Sequence, residues 1–178
     1  MKRYNSLIEA KQVGVLYHFT SFINALKILN KNMLIPGANR YISFSRDKNF
    51  LNVARFSLGS GSGGNPIGVA IVIDGDKLSN KYKITPYNYY ASSEPSGGVL
   101  TKYKHTPEED ETEETVNKQI TNLNKYIIKL IVFENLYDES FRVTRLLNDI
   151  TAQNKEEYSF EDYVNVLKQF KYKIEIKK

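Results

Sequence analysis

Leu16-Tyr17-His18-Phe19-Thr20-Ser21 and, 25 residues on, Tyr41-Ile42-Ser43-Phe44-Ser45-Arg46-Asp47 decide how this chain reads. Each is an apolar, β-prone run that ends in polar groups. The first ends in an imidazole and two hydroxyls, the second in hydroxyls and a guanidinium. The two-residue repeat of a strand sets His18 opposite Tyr17 and Phe19, and sets Ser43 and Ser45 opposite Ile42 and Phe44. A third stretch, Glu111-Thr112-Glu113-Glu114-Thr115-Val116, brings carboxylates into a strand. There Glu113 and Thr115 share one face, Glu114 and Val116 the other.

Outward from these segments, Val13 to Phe19 reads as a strand. Thr20 or Ser21 then caps a helix to about Asn30, with Phe22, Ile23, Leu26, Ile28 and Leu29 on its buried side. Met33 to Ile35 is a short extended piece closed by Pro36-Gly37, and Tyr41 to Ser45 is a second strand. Asp47 to Leu58 reads as a helix, followed by a flexible Gly/Ser loop from Gly59 to Pro66. That loop lacks the Lys-Ser/Thr ending of a phosphate-binding P-loop. Gly68 to Asp74, Tyr82 to Pro86, Glu113 to Val116 and Ile127 to Glu134 read as strands, and Asp76 to Ser79 as a helical turn. Tyr87 to Gly98 is irregular. Leu123 to Tyr126 is a turn, and Glu139 to Asn154 a helix. Ser159-Phe160-Glu161-Asp162 is a variant capping box that opens a helix to Phe170. Tyr172 to Ile176 alternates like a half-exposed final strand. There is no internal repeat and no linker, and the strands lack regular βαβ alternation. The expected architecture is a single α+β domain over residues 1–178.

Composition narrows the chemistry. The 178 residues include no cysteine and only two histidines, which excludes disulfides, a thiolate nucleophile and thiolate metal sites. A His-rich metal site is not expected either. No apolar run reaches the length of a signal peptide or a membrane span, so a cytoplasmic protein without membrane contact is expected. The net charge is +5, yet six of the 20 acidic residues crowd between Glu108 and Glu114, so the remainder is distinctly basic. A basic body favours an anionic partner such as a nucleic acid or a dinucleotide.

The Tyr-His-Phe-Thr opening and the later Phe-Ser-Arg-Asp segment resemble the ADP-ribosyltransferase family in its His-containing class. The opening is similar above all to DarT-type DNA ADP-ribosyltransferases and related toxins. The resemblance covers about the first 75 residues and the stretch from Glu111 to Phe133. It implies a split mixed or antiparallel β core flanked by short helices, with NAD as the substrate and no metal. It implies cofactor contacts from His18, Phe19, Thr20, Ser43, Ser45 and Arg46, the last also acting in catalysis by engaging phosphate or the transition state. Glu113 is the expected catalytic acid and Glu114 its substitute. Such a carboxylate stabilises the oxocarbenium charge that develops as the N-glycosidic bond breaks, and takes the proton of the incoming nucleophile. Glu111-Thr112-Glu113 matches the Glu-x-Glu of arginine-specific transferases, although that branch carries Arg in place of His on its first strand. Tyr41, Phe50, Tyr87, Tyr89 and Tyr90 are candidates to stack on the nicotinamide.

The implied activity is transfer of ADP-ribose from NAD to a macromolecule, nucleic acid ahead of protein. Toxins and phage-encoded host-modifying enzymes commonly carry such a fold. Two other readings stay open. One is an NAD glycohydrolase or RNA 2′-phosphotransferase on the same fold. The other is a non-catalytic basic module that binds nucleic acid or a host protein, with Tyr82 to Tyr90 stacking on bases.

Overall fold

The computed structural model describes residues 13–37, 40–46, 68–87, 113–137 and 141–178. The expected helix at Asp47 to Leu58, the Gly/Ser loop, the irregular Tyr-rich segment beyond Tyr87 and most of the acidic run lie outside them.

Among the described residues, nine strands form three sheets. β1 (Val15–Thr20), β4 (Val69–Asp74), β8 (Ile127–Phe133) and β9 (Lys173–Lys177) make a four-stranded sheet in the order β1-β4-β8-β9. β3 (Ile42–Phe44), β6 (Glu113–Val116) and β5 (Thr85–Tyr87) make a second, in the order β3-β6-β5, and β2 (Met33–Leu34) pairs with β7 (Ile120–Thr121). All pairings are antiparallel except β8 with β9. A parallel pair needs a long crossover, and here α3 (Phe141–Thr151) and α4 (Phe160–Lys168), which follow the short α2 (Gly75–Ser79), supply it. This is the split, mixed α+β core that the sequence leads one to expect.

β4 is buried along its apolar length because it sits between β1 and β8 and is covered on both faces. Val69, Ile71 and Ile73 enter the main core, while Ala70 and Val72 join Ile131 and Phe133 in a second cluster on the other face, beside Tyr17 and Phe19. The chain therefore reads there as an unbroken hydrophobic run rather than an alternating one.

α1 (Phe22–Lys31) packs Phe22, Ile23, Ala25, Leu26 and Leu29 onto the main core. Ser21 Oγ accepts the Asn24 N–H at 3.3 Å, and Asn32, in the left-handed region at φ 52°, donates its N–H to the Ile28 and Leu29 carbonyls. Both ends of the helix are thereby satisfied. The Phe22 ring meets Tyr137 and Tyr163 edge-on, and Tyr163 Oη donates to the Phe22 carbonyl at 2.9 Å. Gly68 passes directly over that ring, and a Cβ there would run into it.

Several boundaries differ from expectation. α3 stops at Thr151 rather than Asn154, because Ala152 turns left-handed at φ 54°. Tyr82 to Pro86 is not one strand. Tyr82 closes a turn onto the Leu78 carbonyl, its ring packs edge-on against Tyr126, and pairing begins only at Thr85. β7 has no counterpart in the sequence reading, since two residues are too few for a periodicity. The Ser159/Asp162 capping box forms as expected.

Candidate active site

The site begins where the first two sheets touch. Tyr17 and Ser45 exchange both backbone hydrogen bonds, at 2.8 and 2.9 Å, in an isolated antiparallel bridge. An antiparallel ladder continued from that bridge would next join Phe19 to Ser43. Instead, His18 Nδ1 lies 3.0 Å from the Ser43 carbonyl oxygen. The imidazole thus takes a position that strand pairing would otherwise fill, and β1 and β3 diverge beyond it. The His18 and Phe44 rings remain cross-strand neighbours, 5.8 Å apart.

A carbonyl oxygen only accepts, so Nδ1 carries the hydrogen. Burial lowers the His18 pKa below 6.5, and the Ser43 bond opposes this without reversing it. The ring is consequently neutral at pH 7, with Nε2 left as a hydrogen-bond acceptor.

The divergence opens a cavity of about 740 Å³. His18, Phe19, Thr20 and Ser43 line it on the strand side, and Asn24, Lys27, Ile28 and Lys31 line it from α1. Met33, Ile35 and Tyr41 add an apolar and aromatic portion. This is ample for a small ligand. Thr20 is buried, and its carbonyl accepts the Gly68 N–H at 3.0 Å.

Arg46 and the β6 carboxylates lie further along β3. Arg46 Nε and Nη2 both donate to Glu114 Oε1, at 2.9 and 2.7 Å. Glu114 is 2% exposed and the Arg46 side chain 41%. Register places Phe44 opposite Glu114 and Ser43 opposite Thr115, so the ring beside His18 also neighbours the buried acid. Thr115 Oγ1 donates to the Thr85 carbonyl at 3.1 Å, tying β6 to β5. The backbone of Glu113 pairs with Tyr87, and its side chain lies outside the described part.

Of the residues the sequence singles out, the structure gathers His18, Phe19, Thr20 and Ser43 around one cavity. Ser45 forms the bridge at its edge. Arg46 pairs with Glu114 beyond Phe44 and is not part of the cavity lining. Tyr41 lines the cavity, whereas Phe50, Tyr89 and Tyr90 lie outside the described residues. Asn24, Lys27 and Lys31 were missed. Their signal was the polar stripe Asn24, Lys27 and Lys31 on α1, one helical face opposite the apolar one. Among the described residues, no group of three His, Asp or Glu stands where it would hold a metal ion, and no helix is long and apolar enough to cross a membrane.

No family model matches the chain, and no curated protein matches it. Among solved structures it is similar to DarT of Thermus sp. 2.9 in complex with NAD+. The identity is 15% and the TM-score 0.48, covering 92% of this chain and 94% of that one. The same protein in complex with carba-NAD+ aligns with a TM-score of 0.47 at 16% identity, over 92% of this chain and 95% of that one.

Proposed function

We propose that this protein is an NAD-dependent ADP-ribosyltransferase whose site spans the divergence of β1 and β3. The observation that carries this reading is the arrangement about Phe44. On one side lies a neutral imidazole facing a cavity of nucleotide size. On the other, a guanidinium is locked on a buried carboxylate. Ser43 and Arg46 are three residues apart, about 10 Å of extended chain, so one extended dinucleotide can reach both places.

In this reading His18 Nε2 accepts from a ribose hydroxyl, and Phe19, Thr20, Ser43 and Ser45 border the bound dinucleotide. The bond between the nicotinamide nitrogen and ribose C1′ breaks, and nicotinamide leaves with the electron pair. The acceptor's lone pair forms the new bond to C1′, and its proton passes to the β6 carboxylate. Glu114 takes that role ahead of Glu113, because its carboxylate is desolvated and held in place by Arg46. Electrostatic stabilisation of an oxocarbenium ion is strongest where water is excluded and the charge is preorganised. Arg46 orients Glu114.

The acceptor is taken to be nucleic acid, on the basic excess of the chain outside the acidic run. One domain is taken to span residues 1–178, since β9 near one end of the chain completes the sheet that β1 begins near the other. The test is incubation with NAD labelled in its adenylate portion, in the presence of DNA, RNA and host protein. Label on nucleic acid is the expected result. Label on protein would replace the acceptor, free ADP-ribose would make the protein a glycohydrolase, and intact NAD would end the proposal.

A further inference from the structure

The cavity lining has one chemical asymmetry that catalysis does not use. Among the described residues it holds two lysines, Lys27 and Lys31, and no carboxylate. Neither lysine is ion-paired with a described acid. Both are exposed, and they stand four residues apart on the α1 face that also carries Asn24 and Ile28. Lys31 in the last helical turn is where the helix dipole favours a cation in any protein. Lys27, at mid-helix, has no such reason. Two like charges at i and i+4 repel and destabilise a helix slightly, so an anion between them would relieve an existing cost. The far wall supplies neutral acceptor and hydroxyl groups at His18, Thr20 and Ser43, and Tyr41, Met33 and Ile35 complete an apolar flank.

The geometry points to Lys27 and Lys31 as the phosphate clamp of this cavity, binding the diphosphate of an ADP-bearing ligand. The inference rests on the ADP-ribosyltransferase reading and deepens it, by fixing how the dinucleotide lies. The ADP portion lies along α1, and the nicotinamide riboside points along β3 toward Arg46 and Glu114. Ammonium groups suit this task as charge-assisted donors to phosphate oxygens. The pair also sets specificity, favouring phosphorylated nucleosides over bare ones.

The test is calorimetric titration of the full chain with ADP-ribose and with adenosine, alongside NAD turnover. The wild type should bind ADP-ribose at least about tenfold more tightly than adenosine. Lys27→Gln/Lys31→Gln keeps helix-forming side chains, and should bring ADP-ribose down to the affinity of adenosine while leaving adenosine unchanged. Lys27→Arg/Lys31→Arg should restore most of the preference. Unchanged ADP-ribose affinity in the Gln variant, an equal loss for both ligands, or no binding of ADP-ribose by the wild type would each overturn the clamp. The two readings fail separately. NAD turnover with a lysine-independent affinity sinks the clamp alone. Lysine-dependent ADP-ribose binding without any NAD turnover sinks the transferase and leaves the clamp standing.

Discussion

The four-stranded and three-stranded sheets solve burial in opposite ways. In the first, β4 is covered by apolar side chains on both faces, and the described interior from Val69 to Ile73 contains no charge. In the second, the middle strand β6 buries a glutamate almost completely and balances it with an arginine that reaches solvent. The first arrangement draws on hydrophobic burial, which is non-directional and tolerant of detail. The second depends on two donors of one guanidinium meeting a single carboxylate oxygen, and removing either partner strands the other. Uncharged burial and buried charge are thus divided between the sheets, and the bridge at Tyr17 and Ser45 is where they join.

This division can be broken from either side. Leu130→Ala, at a fully buried position of β8, should cost about 2–5 kcal/mol of stability, read from denaturant midpoints. The kcat of the fraction that remains folded should not change. A large change in kcat at constant folded fraction would show that the sheets are not separate in role.

Glu114→Gln should reverse that pattern, lowering turnover by a factor on the order of 10² or more with little effect on NAD affinity. Glu113→Gln is the control. Should Glu113→Gln be the slow variant and Glu114→Gln turn over normally, the catalytic role moves one residue and Glu114 becomes a structural counter-ion.

Arg46→Ala leaves the Glu114 carboxylate buried without its partner, and should destabilise by about 1–3 kcal/mol. Combining it with Glu114→Gln should recover part of that loss, because a neutral amide needs no cation. Strictly additive losses in the double variant would mean the two groups are not coupled.

A smaller effect belongs to His18. Its folded pKa is depressed by burial, so the unfolded chain binds the proton more readily. The associated stability is complete above the unfolded value of 6.5 and is lost as pH falls below it toward the folded value. Denaturation midpoints across acidic pH should therefore drop more steeply for wild type than for His18→Gln, and parallel curves would contradict a neutral buried imidazole.

The smallest effect is expected at Glu175 on the edge strand β9. Hydrogen bonds from Lys129 and Lys177 hold its pKa at about 2. Its contribution is present above 4.5 and lost as pH falls toward 2. Because the Lys129–Glu175 pair is partly exposed, Glu175→Gln should change stability at pH 7 by less than about 1 kcal/mol.

Much of this was legible in the residues themselves. The run Gly68 to Asp74 announces a strongly apolar strand, Thr20 or Ser21 and Ser159 announce the starts of α1 and α4, and Glu113 to Val116 appears as β6 with the boundaries read from the chain. Local physics sets these features: side-chain periodicity, capping hydroxyls and β-branched runs act over a few residues. The sequence also isolated His18, Ser43 and Arg46 as polar ends of apolar runs. It could not assign the partner of Arg46, because that choice between Asp47 and an acid 68 residues away depends on the pairing of β3 with β6. Nor could it show that His18 replaces a rung of the ladder, or that the polar stripe of α1 faces a cavity. Those are relations between segments far apart in the chain. They are fixed only when the packing of the two sheets brings those segments together, and the cavity lies beside their junction.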